Sequence, residues 1–303
     1  NHSTDEDAHI DTVELLAIVD QNARTAALVS GDVQVIDRVD LKTAGLLGQR
    51  PGVNLRTATG TLHYSFPMLT DTAPYDNNDV RLAVKYAINR QELVDKILFG
   101  YGELGNDHPI GSGQRYFNSE LPQRDYDPDK ARFHLKQAGL DSIELELFAS
   151  DAAFAGAIDA AVLIQASAKG AGIDLTVTRS PNDGFWSDHW IKSPFITSYW
   201  SGRPVEDQMF STTYQTGVSW NESRWSNERF DSLLLEARAE LDTNKRKDMY
   251  WEMQQILYDE GGSAIPMFAS YVFGIADGVA TPDSIATNWD LDGERFMERW
   301  WFS

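Results

Sequence analysis

The sequence predicts an α/β protein, on three observations. Strand and helix patterns alternate from the start: an apolar run at Val13–Val19, a helical stretch at Gln21–Ser30, and a second apolar run at Val33–Val39. A strand, a small-residue helix and a strand follow one another again at Ile143–Phe148, Ala153–Gly170 and Ile173–Val177. The chain has 303 residues, of which 42% are apolar, enough to build the core of one large or two ordinary domains.

In chain order, the opening NHSTDEDAH is polar and acidic and reads as a frayed end. It runs straight into IDTVELLAIV with no domain start before it, so the chain is expected to begin inside a domain. Gly31 is the stop signal of the Gln21–Ser30 helix, and Gly48 that of a short helix at Leu41–Leu47. Val53–Leu55 and Thr61–Met68 read as two strands, the second alternating Leu62, Tyr64 and Phe66 with Thr61, His63 and Ser65. Asn78–Phe99 reads as one long helix, because Val80, Ala83, Val84, Ala87, Ile88, Leu93 and Ile97 recur at helical spacing before Gly100. Asp127-Pro128 opens the next helix as cap and first helical residue, and Gly139 closes it. A short aromatic helix is expected at Phe185–Ile191 and a strand at Phe195–Trp200. Two helices follow, one capped by Ser226 and running through Leu241, the other at Lys245–Tyr258, before a strand at Ala264–Val272. The aromatic tail NWDLDGERFMERWWFS reads as packed.

Composition excludes several functions. Lys plus Arg number 26 and Asp plus Glu 46, a formal net charge of -20. That opposes nucleic-acid binding, which needs clustered cations, and docking on anionic membranes. No apolar run reaches the roughly 20 residues of a membrane helix, so direct membrane insertion is not expected. Cysteine is absent, which removes disulfides, thiolate catalysis and cysteine-type zinc sites.

Few motifs suggest reaction chemistry. GYGELG (Gly100–Gly105) matches G-x-G-x-x-G, but a helix precedes it and no helix follows, so it reads as a helix end and loop rather than a nucleotide site. The six histidines show no metal-ligand spacing. Asp188-His189 is an isolated acid–base pair without a G-x-S-x-G nucleophile, and the structural reading of His189 is preferred. Arg203 follows Trp200-Ser201-Gly202, where little side-chain bulk blocks the backbone. It can pair with Glu206 or Asp207, three and four residues on, or it can hold a ligand.

Five stretches in register carry a resemblance. NNDVRLAVKYAINRQELVDKILFGYG (Asn77–Gly102), YDPDKARFHLKQAG (Tyr126–Gly139), DQNARTAALVSGDVQVID (Asp20–Asp37), the Trp200-Ser201-Gly202 turn, and WSNERFDSLLLEAR with IPMF resemble, in order, segments of the peptide/nickel/opine (family 5) extracellular solute-binding proteins of ABC importers. The match runs from about Ile10 onward. It implies a two-lobed, type II periplasmic-binding-protein-like fold, here with the first lobe incomplete. Residues 1–68 would be part of lobe I, 69–267 a complete lobe II, and 268–303 a return to lobe I. Thr61–Met68 and Ala264–Tyr271 would be the hinge strands.

The resemblance further implies a receptor and not an enzyme. It would capture a peptide or peptide-like solute between its lobes and deliver it to an ABC permease in the inner membrane. It would be periplasmic, or extracytoplasmic and tethered in a single-membrane bacterium, with no cofactor, metal or catalytic residue. In peptide binders of the family, the third residue after the equivalent Trp is an Asp that pairs with the peptide ammonium. Here that position is Arg203, so the charge is reversed, and an anionic group of the solute becomes the expected partner. Trp200 would stack nearby, Ser201 and Gly202 would expose backbone groups to the ligand, and His63, Tyr64, Phe268 and Tyr271 would line the cleft. A secreted hydrolase using Asp188 and His189, or a non-transport sensor or chaperone on the same fold, are the alternatives.

Overall fold

Two long antiparallel strands organise the main sheet of the molecule. The structure, a computed structural model, describes residues 10–303; the acidic opening stretch lies outside the described residues.

Val13–Val19 is not the strand its composition suggests. It runs unpaired, with Leu15, Leu16 and Val19 exposed at 73%, 54% and 93%. An apolar run becomes a strand only where a neighbour satisfies its backbone groups. Here the carbonyls of Ile18 and Val19 are taken by the Arg24 guanidinium instead, at 2.8 and 2.9 Å. Helix α1 (Gln21–Ser30) follows, capped by the Asp20 carboxylate and ended by Gly31 at φ 83°. Strand β1 is only Val35–Ile36, shorter than expected, and α2 (Leu41–Leu47) is capped by Asp40.

Strand β2 (Val53–Pro67) joins the two expected strands into one, with a register irregularity between Thr59 and His63. The expected long helix is two: α3 (Asn78–Ala87) and α4 (Arg90–Lys96). Ile88 between them is extended, and the Asn89 side chain caps α4 by accepting from the Glu92 N–H at 3.2 Å. A polar cap inside an apolar helical pattern thus restarts the helix.

The G-x-G-x-x-G stretch contributes a strand, β3 (Gly102–Leu104). A Cβ on Gly102 would lie 2.4 Å from the Phe268 carbonyl, so this glycine serves strand packing. Helix α5 (Pro128–Gln137) keeps its Asp127 cap. Strand β4 (Ile143–Ala149), helix α6 (Ala157–Lys169) and strand β5 (Ile173–Arg179) form a β-α-β unit, with β4 and β5 parallel. Then come α7 (Phe185–His189), β6 (Ser198–Trp200) and α8 (Glu206–Thr213), the last unforeseen. Helix α9 (Glu228–Ala239) is capped by Asn227 rather than Ser226. Helix α10 (Thr243–Glu260) leads into β7 (Ser263–Ala276).

The main sheet has the order β1-β7-β2-β6, with β3 also on β7, and all its pairs are antiparallel. At one end of the β2–β7 pair, Val53 and Val272 pack with α1 and α2. At the other, Phe66, Ala264 and Met267 belong to the large core that holds α3, α6 and the β4–β5 pair. A third core gathers α8, α9 and α10 around Phe210, Phe230 and Leu257. The tail is packed only in part: Trp300 is 1% exposed against Phe273, whereas Met297, Trp301 and Phe302 are exposed. No described helix is long and apolar enough to cross a membrane.

Candidate functional site

The site forms where the edge strand β6 meets β2 and the chain turns into α8. Cross-strand register puts Trp200 opposite His63, and His63 opposite Phe268. Residues directly opposite share a face, so these three side chains form one row. The His63 and Phe268 ring centroids lie 5.3 Å apart. Tyr64 points the other way and stacks on Phe154 at 3.9 Å.

The four aromatics expected to line a cleft do not do so together. His63, Phe268 and Tyr271 are buried, each at most 4% exposed, and Tyr64 is half-buried against Phe154. The reason is the pleat. A strand alternates its faces, and β7 is buried on both while β2 is covered around His63, so His63, Phe268 and Tyr271 are packing rather than lining.

Arg203 is different. Its guanidinium donates to the Ser201 and Gly202 carbonyls at 3.1 and 3.0 Å. It lies 5.6 Å from the Trp200 ring centre and 6.0 Å from that of Trp289, within cation–π range of both. Burial lowers its pKa from the ordinary arginine value. The local ion pair that the sequence allowed does not form. Glu206, buried at the start of α8, accepts the Tyr116 N–H at 2.8 Å, and Asp207 pairs with Arg238 at 2.7 Å. Among the described residues, no carboxylate pairs with Arg203.

Gly202 is not an opening for a ligand. A Cβ there would lie 1.7 Å from Thr61 Oγ1 and 2.1 Å from the Asn288 carbonyl. The glycine is needed so that the turn can press against β2 and the tail. Gly202→Ala is therefore expected to lower stability by about 1–3 kcal/mol through overpacking, read as a drop in the urea midpoint. An unchanged midpoint would refute this role.

Beside the turn is a cleft of about 520 Å³, within the size range of small-solute sites. Its walls are Thr61, residues 113–116, residues 203–207, the facing sides of α9 and α10, and residues 287–288. Four arginines line it, Arg115, Arg203, Arg238 and Arg246. Behind it, the buried Glu222 carboxylate fastens β6 to β2. It accepts from Ser65 at 3.0 Å, Ser198 at 2.7 Å and the Trp190 indole at 3.1 Å, and burial raises its pKa.

The remaining sequence candidates are structural. His189 places its ring nitrogens 2.8 Å from Ser193 Oγ and 3.1 Å from Ser180 Oγ, while Asp188 accepts from Ser187. The acid–base pair is thus adjacent in sequence but not arranged as a dyad. Among the described residues, no group of three metal-ligating side chains comes together. Sequence reasoning missed Arg115, Arg246, Tyr250, Asn288 and Trp289. Only the spacing of Arg246 and Tyr250, four apart on one helix, was there to be read.

The model of the bacterial extracellular solute-binding proteins, family 5 middle, matches residues 4–222, and the chain belongs to that family. The dipeptide-binding protein of Escherichia coli (strain K12) is 25% identical over 269 residues, covering 84% of this chain and 49% of that protein. The glutathione-binding protein GsiB of Salmonella paratyphi A is 26% identical over 264 residues, covering 83% and 51%. The chain spans about half the length of the curated relatives it matches. Among solved structures, the periplasmic binding protein DppA from Helicobacter pylori, in complex with peptide STSA, superposes with a TM-score of 0.80 at 21% identity. That match covers 94% of this chain and 56% of the other. AgaA from A.tumefacien R10, in complex with agropinic acid, gives 0.78 at 21% identity, covering 94% and 59%. These likenesses show the fold: the α/β, type II-like arrangement of periplasmic binding proteins.

Proposed function

We propose that the chain is part of the substrate-binding component of an ABC importer. It captures a peptide or peptide-like solute with an anionic group and passes it to a membrane permease from the periplasm or another extracytoplasmic space. Membership of a solute-binding family supports a receptor rather than an enzyme. The named relatives bind a dipeptide and glutathione, and the named structural neighbours hold a tetrapeptide and an opine acid. In this reading residues 69–267 form one lobe, and residues 1–68 and 268–303 belong to the other, with β2 and β7 crossing between them. Closure around the solute is then a population shift driven by contacts made only when both lobes meet.

The observation that carries the anionic preference is Arg203. It is half-buried, faces a cleft, lies near two indoles, and has no carboxylate partner among the described residues. A guanidinium in that setting offers a carboxylate a planar fork of donors. Such a charge-assisted bond contributes about 1.5–3 kcal/mol, or roughly ten- to a hundredfold in affinity. In the full-length protein, Arg203→Ala is expected to weaken solute binding by that factor in calorimetry while leaving the melting temperature near its starting value. Arg203→Lys should recover only part of the loss. Unchanged affinity with a lower melting temperature would sink the assignment and return Arg203 to a structural role.

A further inference from the structure

The four guanidiniums around the cleft are not equivalent. Arg238 is neutralised by Asp207, with Nε 2.7 Å from the carboxylate. Arg203 has been assigned to the solute. Arg115 and Arg246 remain, and among the described residues neither pairs with a carboxylate. Arg115 is exposed, with its guanidinium carbon 5.2 Å from the centre of the Tyr116 ring. Arg246 donates through one Nη to the Glu240 carbonyl, while its Nε is buried without a partner.

The two arginines share a platform. Tyr116 and Tyr250 stack with centroids 5.0 Å apart and 12° between their planes. Arg115 is the neighbour of the first, and Arg246 lies one helical turn before the second on α10. Thus the loop at 113–116 and the start of α10 each bring a tyrosine into the stack and a guanidinium to the cleft. The Glu206 carboxylate, tied to the Tyr116 N–H at 2.8 Å, fixes this loop to α8 and so to the Arg203 turn. Arg115, Arg203, Arg238 and Arg246 face Glu206 and Asp207 in the cleft walls, four positive charges against two negative. A cationic excess concentrated in one cleft of a chain whose formal net charge is -20 attracts anions locally.

The geometry points to a second anion-binding subsite, formed by Arg115 and Arg246 beside the Tyr116–Tyr250 stack, so that the cleft takes a dianionic solute of the dicarboxylate class. This rests on the reading that the Arg203 cleft holds the solute. One carboxylate would meet Arg203 between the indoles, and the other would meet the guanidiniums of Arg115 and Arg246. Glu206 retains lone pairs beyond its bond to Tyr116 and can accept an ammonium or amide N–H lying between the two, which suits an acidic amino acid derivative or short acidic peptide.

The test uses the full-length protein and two matched dipeptides, Ala-Glu and Ala-Gln, which differ by one carboxylate at nearly constant shape. Calorimetry is expected to show Ala-Glu binding at least tenfold more tightly than Ala-Gln. The Arg115→Gln/Arg246→Gln double variant should erase that preference by weakening Ala-Glu alone, whereas Arg203→Gln should weaken both dipeptides. Ligand retained by the purified protein, released by denaturation and weighed by mass spectrometry, should carry two acidic groups. No preference for Ala-Glu, including failure of both dipeptides to bind, or a double variant that leaves the preference intact, overturns the second subsite. If Arg203→Gln does matter in that case, the solute-binding reading of the cleft stands without it. If Arg203→Gln changes neither dipeptide's affinity while binding occurs, the cleft reading itself fails.

Discussion

Asp107→Ala is expected to destabilise the protein by about 3–5 kcal/mol, the cost of leaving buried charges without a counter-ion. Asp107 is 2% exposed and holds two buried guanidiniums, Arg90 Nη2 at 2.7 Å and Arg124 Nε at 2.8 Å. Its other oxygen accepts the Ile265 N–H of β7 at 3.0 Å. Burial pushes its pKa up, but Arg90, Lys85 and Arg124 more than offset this and hold it below the usual carboxylate value. Nearby Lys85 is fully buried, and burial pulls its pKa down to about 7. The pocket therefore already carries more positive charge than it solvates well, and Asp107 is the anion facing it. Arg124 is further confined between the rings of Tyr86 and Tyr258, at 4.5 and 3.9 Å, and has nowhere to go when its partner is removed. Asp107→Asn keeps the shape and an acceptor for the Ile265 N–H, so it separates charge from hydrogen bonding; its loss should approach that of alanine. Urea denaturation of the two variants beside the parent measures both. A loss below about 1 kcal/mol in Asp107→Asn would mean the cluster is not held by charge.

Much of the fold was legible because it is written locally. Helices α1, α2 and α5 begin at the aspartates that cap them, and α1 ends at the glycine that stops it. The failures share one physical cause: the deciding contact lies far away in sequence. Val13–Val19 has strand composition, yet composition cannot supply the neighbouring strand it needs. The helix from Asn78 was broken by Asn89 acting as a cap, a choice stabilised by the buried pairing of Arg90 with Asp107, 17 residues on. The site divides in the same way. Arg203 was visible beside Trp200 and Gly202. Its supposed partners were misjudged because α8 was not foreseen, and a helix starting at Glu206 turns successive side chains by about 100°, sending one to Tyr116 and the next to Arg238. Arg115 and Arg246 meet the cleft from segments that no sequence pattern connects.

Acid is expected to unfold this protein through two buried histidines. Burial lowers the pKa of His63 from 6.5 to about 4, outweighing the raising effect of its 2.9 Å contact with the Thr61 carbonyl, while Arg203 lowers it further. Burial likewise lowers His108 to about 4, with Asp107 raising it and His63 lowering it. The Nε2 of His63 and both ring nitrogens of His108 are buried without a partner, so neither ring gains a contact by taking up a proton. Both are therefore neutral in the folded protein at pH 7, whereas in the unfolded chain they protonate near 6.5. Below that pH the unfolded state binds more protons than the folded one, so stability falls as pH falls. Their share of the loss begins near pH 6.5 and levels off below about 4, where the folded forms protonate as well. Each histidine contributes a slope of at most about 1.36 kcal/mol per pH unit, or roughly 3 kcal/mol across the window. Urea midpoints taken between pH 8 and pH 4 should thus fall gently at the upper end, where Lys85 is neutral in the fold but protonated in the unfolded chain, and more steeply from about 6.5, where the two histidines add their slope. His108→Leu removes one titrating group beside Phe117, at 6.0 Å, in the neighbourhood of Asp107 and His63. That variant should lose up to one proton's worth of slope, while its stability at pH 7.5 changes by less than its gain at pH 5. An identical pH profile in the parent and His108→Leu would show that His108 is solvated or already charged in the fold, and would refute the burial argument made for it.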